Sequence, residues 1–190
     1  MRGSTHLILG AAAAAPFAAS AHAPALLAVG ALAGLLPDLD HPGSKIGRWV
    51  PWPAAVAPGG DGFTKHGRRW FGGRVIWHRG EVHSIGAGII AATLAVLLAG
   101  ALDLGPWLPA GWLCATVLAA WCSHLAADLV NRSPIMLLWP LRRRMVRVWR
   151  GLPEGSFLET LAELAAAAGA IWLALPDLRL LVAGLHSGRI

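Results

Sequence analysis

Charge is what this 190-residue sequence has least of. Only 14% of its residues are Asp, Glu, Lys or Arg, against roughly 25% in a typical soluble domain. That shortage argues against a soluble globule, and an apolar content of 56% with a mean hydropathy of +0.57 points to a membrane. Acidic residues are scarcer than basic ones, 10 against 16, giving a formal charge of +6. Such an excess alone would suggest a polyanion partner, nucleic acid or an anionic lipid surface, but in a membrane chain its distribution matters more than its sum. Cysteine is nearly absent. Cys114 and Cys122 lie in one apolar segment on the same side of a helix, where they cannot staple distant loops, and they read as small buried hydrophobes. There is no linker and no repeat of 20–50 residues, and low complexity is confined to "AAAAA" at 11–15, so the chain reads as a single domain over 1–190.

What is present is a series of five apolar segments: A at 5–20, B at 24–37, C at 84–102, D at 107–130 and E at 156–175. C, D and E approach the ~20 residues that cross a bilayer. A and B are shorter and read as a hairpin that crosses a thinned region or only enters the membrane. The last stretch, "PDLRLLVAGLHSGRI", reads as a short interfacial helix. The first 23 residues also have the layout of a cleaved signal peptide, with a basic start and an Ala-His-Ala ending. Pro24 directly after such a cut argues against that alternative. The expected fold class is therefore all-α: a polytopic membrane protein of about five membrane-embedded helices.

Of the 16 basic residues, 14 fall in Arg2 and the two long loops at 38–83 and 131–155, while the A to B turn and "DLGP" between C and D carry none. The positive-inside rule then makes the N-terminus and both loops cytoplasmic in a multi-pass membrane chain. Trp107, Trp112, Trp139 and Trp149, near segment ends, suit interfacial belts.

Because successive segments alternate direction, this topology decides which ends lie together. His6 opens A. Asp38, Asp40 and His41 close B in "LLPDLDHP". His78 and His83 precede C in "HRGEVHS", His124 and Asp128 lie near the end of D in "SHLAAD", and Glu159 lies in the first turn of E in "GSFLE". All are delivered to the cytoplasmic end. His124 and Asp128, at i and i+4, share a helix face. Imidazole and carboxylate without thiolate suit zinc, manganese or iron(II), and this many candidates exceed what one tetrahedral ion needs, so two or even three ions are expected.

Each motif has a plainer reading. Asp38 alone can be an interfacial charge, His83 a helix start, and Glu159, three residues after Ser156, the end of a capping box. His124 and Asp128 resist it, because ionisable groups inside an apolar run are costly and by default functional. Within "LLPDLDHP" the order of preference as ligand is Asp38, then Asp40, with His41 orienting the others. His22, His66 and His186 lie outside the cluster. "RRRMVRVWR" reads as a topology determinant and lipid-phosphate contact rather than a nucleic-acid patch.

With "THLILG", "LLPDLDHP", "HRGEVHS", "SHLAADLVN", "LLWP" and "GSFLE" in order, the chain resembles the family described as LexA-binding, inner-membrane-associated hydrolases, membrane-bound and metal-dependent. It is more distantly similar to the zinc-dependent phospholipase C and single-strand nuclease group, from which the His-x-x-x-Asp pattern carries over onto His124 and Asp128. Val82 and Asn131 stand where that inner-membrane family is expected to have threonine.

The function this implies is hydrolysis of a phosphoester, with a lipid headgroup as substrate since a lipid reaches the site without leaving the bilayer. Clustered ions would activate water and hold phosphate oxygens. Asp38 or Asp40 would bridge ions or act as general base, and Arg79 would contact a phosphate oxygen. The alternative is a non-catalytic metal-binding membrane protein that recruits a cytoplasmic or DNA-associated partner through its basic loops.

Overall fold

Runs of Ala, Leu and Gly interrupted by single prolines leave the backbone two choices, helix or break, and the computed structural model follows that punctuation. It describes residues 3–17, 23–40, 44, 68–71, 74–77, 79–130, 134–147, 156–162, 164–169 and 172. Helix α1 spans Gly3–Ala14 and gives way to a 3-10 turn at Ala15–Phe17, where Pro16 cannot continue the hydrogen-bond ladder. Helix α2, Ala23–Ala33, takes Pro24 in its first turn, where a missing N–H costs nothing, and runs into a second 3-10 turn, Leu36–Asp40. Helix α3, Ile85–Ala101, is capped by Ser84, whose Oγ accepts from Ala87 N at 3.1 Å. Helix α4, Ala110–Leu129, follows a short turn in which Asp103 adopts φ 52°. Residues 157–162 and 164–169 are helical as well.

The bundle is helical. The long loop between α2 and α3 carries a two-stranded antiparallel ladder, β1 (Arg68–Phe71) with β2 (Arg74–Trp77), in the register Arg68↔Trp77 to Phe71↔Arg74. The segment after α4 folds back: Ile135 and Val146 exchange hydrogen bonds of 2.9 and 2.7 Å, and Leu137 O accepts from Ile85 N at the start of α3.

Helices α1 and α2 touch backbone to backbone. A Cβ on Gly10 would land on Gly30 O, and one on Gly34 would land on His6 O and 3.0 Å from Gly10 Cα. Only glycine fits at these crossings, and Gly30 and Gly34 form the small-xxx-small spacing that lets apolar helices approach closely. Gly88 of α3 lies under the Trp121 ring, whose Nε1 donates to Ser84 O at 3.0 Å.

The core is built from small residues, with Ala33, Ala92, Ala99 and Ala120 packed around Leu113 and Val117. The large aliphatics point the other way. On α3, Ile89, Ile90, Leu94, Leu97 and Leu98 are 51–63% exposed, a continuous apolar face that water would penalise and lipid accepts. Cys122 is also exposed on α4, so the expectation that both cysteines are buried holds for neither fully, Cys114 being half-buried. Among the described helices, the 20-residue α4 is long and apolar enough to cross a membrane, and Ile85–Ala101 and Pro24–Ala33 are shorter apolar helices.

Candidate metal centre

Up-down packing brings the start of α1, the end of α2, the entry to α3 and the end of α4 to one end of the bundle. His6 lies in the first half of α1, and Asp38 sits on the 3-10 turn after α2. His83 precedes the Ser84 cap of α3, and His124 and Asp128 occupy the last turns of α4. Except for Asp38, 15% exposed, all are at most 1% exposed.

The carboxylate of Asp128 is the hub. Its Oδ1 lies 3.7 Å from His6 Nε2 and 3.1 Å from Arg79 Nη2, and its Oδ2 lies 3.5 Å from His83 Nε2 and 3.6 Å from His124 Nε2. Asp38 Oδ1 stands 3.6 Å from His83 Nε2 and 3.9 Å from His124 Nε2. The His6 ring stacks on His124 with centroids 3.7 Å apart, and His83 meets His124 edge-on at 5.1 Å.

These imidazole-to-carboxylate separations of 3.5 to 3.9 Å are too long for hydrogen bonds. They are close to the spacing of ligands around a common ion, since bonds of ~2.1 Å to a tetrahedral centre set its ligands ~3.4 Å apart. The tautomer agrees. His124 Nδ1 lies 2.7 Å from Gly34 O, which can only accept, so Nδ1 carries the hydrogen and Nε2 is the ring nitrogen turned to Asp38 and Asp128. Metal-binding histidines are oriented by just such a bond from the other ring nitrogen. His124 Nε2 and His6 Nδ1 are buried without a hydrogen-bond partner, a cost of ~1–3 kcal/mol each that a bound cation removes at Nε2. Two groups of ligand atoms lie within 4.8 Å of one another, His6 with Asp38 and His124, and His83 with His124 and Asp128. The residues present therefore fit a divalent ion.

Electrostatics point the same way at the site's solvent edge. Burial alone would raise the Asp38 carboxyl, but the imidazoles of His83, His124 and His6, wherever they carry a proton, outweigh it and hold the group well below the usual carboxylate range. Asp38 stays an anion, ready for a cation.

Glu159 arrives by another route. Ser156 Oγ accepts from Glu159 N at 3.3 Å, half of a capping box, and the carboxylate reaches another helix, its Oε1 accepting from Thr5 Oγ1 at 2.7 Å, across 154 residues. Glu159 is 1% exposed and ties the fifth helical stretch to the residue next to His6. Thr5→Val keeps the shape and deletes the hydroxyl, and should destabilise the fold by ~1–3 kcal/mol by depriving a buried carboxylate of a donor. A thermal midpoint unchanged from wild type in detergent would show that the bond contributes nothing.

Of the other expected site residues, Arg79 is brought onto Asp128, and the backbone of Asp40 ends the 3-10 turn. His41 and His78 lie outside the described residues. The Gly34 carbonyl and Thr5 are participants that sequence reasoning passed over. "GALAG" at 30–34 was the available signal for the first, and adjacency to His6 in "THLILG" for the second.

The chain is similar to known membrane proteins along most of its length. The inner membrane protein YdjM of Escherichia coli (strain K12) is 32% identical over 139 residues, which are 73% of this chain and 61% of that protein, and the Shigella flexneri protein of the same name matches equally. The chain thus spans about three-fifths of the curated relatives it matches. No solved structure matches it. The family described as YdjM inner membrane protein matches residues 1–185, and a bundle that turns its aliphatic face outward and gathers its imidazoles at one end belongs to that family.

Proposed function

We propose that the chain is a multi-pass, metal-dependent hydrolase of phosphoester bonds, acting on lipid headgroups at the cytoplasmic face of the inner membrane. The observation that carries the reading is the convergence of three imidazoles and two carboxylates from four helices, all but one fully buried, at non-hydrogen-bonding separations. The His-x-x-x-Asp spacing of His124 and Asp128, shared with zinc-dependent phospholipases and nucleases, supports phosphorus chemistry. The exposed aliphatic face of α3 supports a site reached from the bilayer.

In this reading His83, His124, Asp38 and Asp128 hold a divalent ion, zinc foremost with manganese or iron(II) as alternatives. Such an ion, when bound, polarises a phosphoryl oxygen and activates water. The chain's own groups do the rest. The Gly34 carbonyl keeps the His124 ring in its ligating tautomer. Asp38 and Arg79, 15% and 14% exposed, are the members open to solvent, so an anionic headgroup enters between them and meets the guanidinium first. Asp40, two residues beyond Asp38, is the general base we assign. The cations of "RRRMVRVWR" are assigned, in this reading, to contacts with lipid phosphates.

The test is elemental analysis of the full chain in detergent together with hydrolysis of generic phosphodiesters and of phospholipids. Wild type should carry metal and turn over, and His83→Ala and His124→Ala should lose both. Metal without any turnover favours the second reading, a non-catalytic metal-binding protein that recruits a partner through its basic loops. Fewer than one ion per chain overturns both readings.

A further inference from the structure

One turn grips both oxygens of Asp128. His83 Nε2 faces Oδ2 and Arg79 Nη2 faces Oδ1, and the turn between them is closed by the bond from His83 N to Gly80 O at 3.0 Å. The backbone at Arg79 is fixed in an unusual state. Its φ is 67°, a conformation that L side chains rarely adopt, and its carbonyl accepts from Met136 N at 3.0 Å, so the segment after α4 clamps it from outside. Outliers of this kind persist where the surroundings over-determine them, and they gather at functional sites.

Two sets of atoms can be separated around the hub. His83 Nε2, His124 Nε2, Asp38 Oδ1 and Asp128 Oδ2 are linked in a ring by four imidazole-to-carboxylate separations of 3.5, 3.6, 3.6 and 3.9 Å, each close to the length of a tetrahedral ligand edge. The other oxygen of Asp128 is flanked by His6 Nε2 at 3.7 Å and by the guanidinium at hydrogen-bond distance. A carboxylate that bridges two ions offers one oxygen to each. Here the second oxygen is already held by a positive charge.

We propose that the centre takes a single divalent ion and that the Arg79 guanidinium stands in the place of a second one. This rests on the metal-dependent reading and replaces the expectation of two or more ions. An arginine suits the task because it keeps its charge at every physiological pH and its planar fork matches a carboxylate edge. Its charge repels a second divalent ion from Asp128 Oδ1, while the four-ligand side remains available to the first. The arrangement gives the site one exchangeable and one permanent cation.

The test counts zinc per chain by equilibrium dialysis and elemental analysis of the full chain in detergent micelles. Wild type should hold one ion, and Arg79→Lys, which keeps a charge, should also hold one. Arg79→Gln should hold two, and combining it with His6→Ala should return the count to one by removing a ligand of the second position. Two ions in wild type, or one in a folded Arg79→Gln, overturns the proposal and leaves the metal centre standing. No ion in wild type overturns the metal centre itself. Should Arg79→Gln not fold, the counts for wild type and Arg79→Lys decide, one in each supporting the proposal and two in either overturning it.

Discussion

Asp128→Asn is expected to abolish metal binding and to lower the stability of the metal-free protein as well. The two losses have separate causes. The first follows from the hub position of the carboxylate, whose Oδ2 faces His83 and His124 at 3.5 and 3.6 Å. An amide of the same shape supplies no anion, and removing even an indirect partner of a metal site costs 10–100-fold in affinity, so a direct ligand should cost at least ~100-fold. The second follows from Arg79, which is only 14% exposed and 3.1 Å from Oδ1. Breaking a buried ion pair by neutralising one member costs ~3–5 kcal/mol, mostly because the other charge is left without compensation. Thermal unfolding in detergent separates these effects. In the presence of chelator the variant should melt well below wild type, and added zinc, which raises the wild-type midpoint by binding the native state alone, should leave the variant's midpoint where it was. Adding Arg79→Met should recover part of the chelator-state loss, because both charges are then gone and the pair's coupling drops out. A zinc-induced rise in Asp128→Asn equal to that of wild type would remove Asp128 from the ligand set.

The helices of this chain were legible in its sequence because apolar runs, prolines and glycines mark helix ends directly. Segment C, read as 84–102, is α3 at Ile85–Ala101, and segment D, read as 107–130, is α4 at Ala110–Leu129. The gathering of His6, Asp38, His83, His124 and Asp128 was legible for a topological reason, since antiparallel neighbours alternate their ends and every one of these residues sits at the same kind of end. Which atoms meet was not legible. The sequence places Arg79 within reach of a phosphate but does not announce its ion pair with Asp128, nor the positive φ of its backbone, which no local residue pattern signals. Glu159 was read as ligand or cap. Its carboxylate bonds Thr5, a partner 154 residues away that spacing rules cannot reach. The number of crossings was read from apolar length, yet the helices punctuated by Pro16, Pro24 and Gly34 are shorter than the apolar runs that contain them.

Gly34→Ala, a single added methyl, is expected to weaken zinc binding by ~10–100-fold although Gly34 offers no side chain to an ion. The methyl would land on His6 O and come within 3.0 Å of Gly10 Cα, and both obstacles are backbone, so no rotamer change relieves them. α1 and α2 must move apart. Overpacking of this kind costs ~1–3 kcal/mol, and here the strain falls on the site itself. His6 rides on the displaced turn of α1, and the Gly34 carbonyl that fixes the His124 tautomer at 2.7 Å rides on the displaced end of α2. Both rings, stacked at 3.7 Å, lose their registration with Asp128. Gly30→Ala should share the packing cost, since its methyl would meet the Ala14 Cβ and Gly10 O, but not the loss of the Gly34 carbonyl, so its effect on zinc affinity should be smaller than that on the melting midpoint. Gly100→Ala, with nothing within 4 Å of the new methyl, serves as the control and should be neutral or gain up to ~1 kcal/mol in α3. Zinc titration by calorimetry and thermal unfolding of the three variants read the two quantities separately. If Gly34→Ala and Gly30→Ala lose stability alike and retain wild-type zinc affinity alike, the helix contact is structural only and the carbonyl of Gly34 does not position His124.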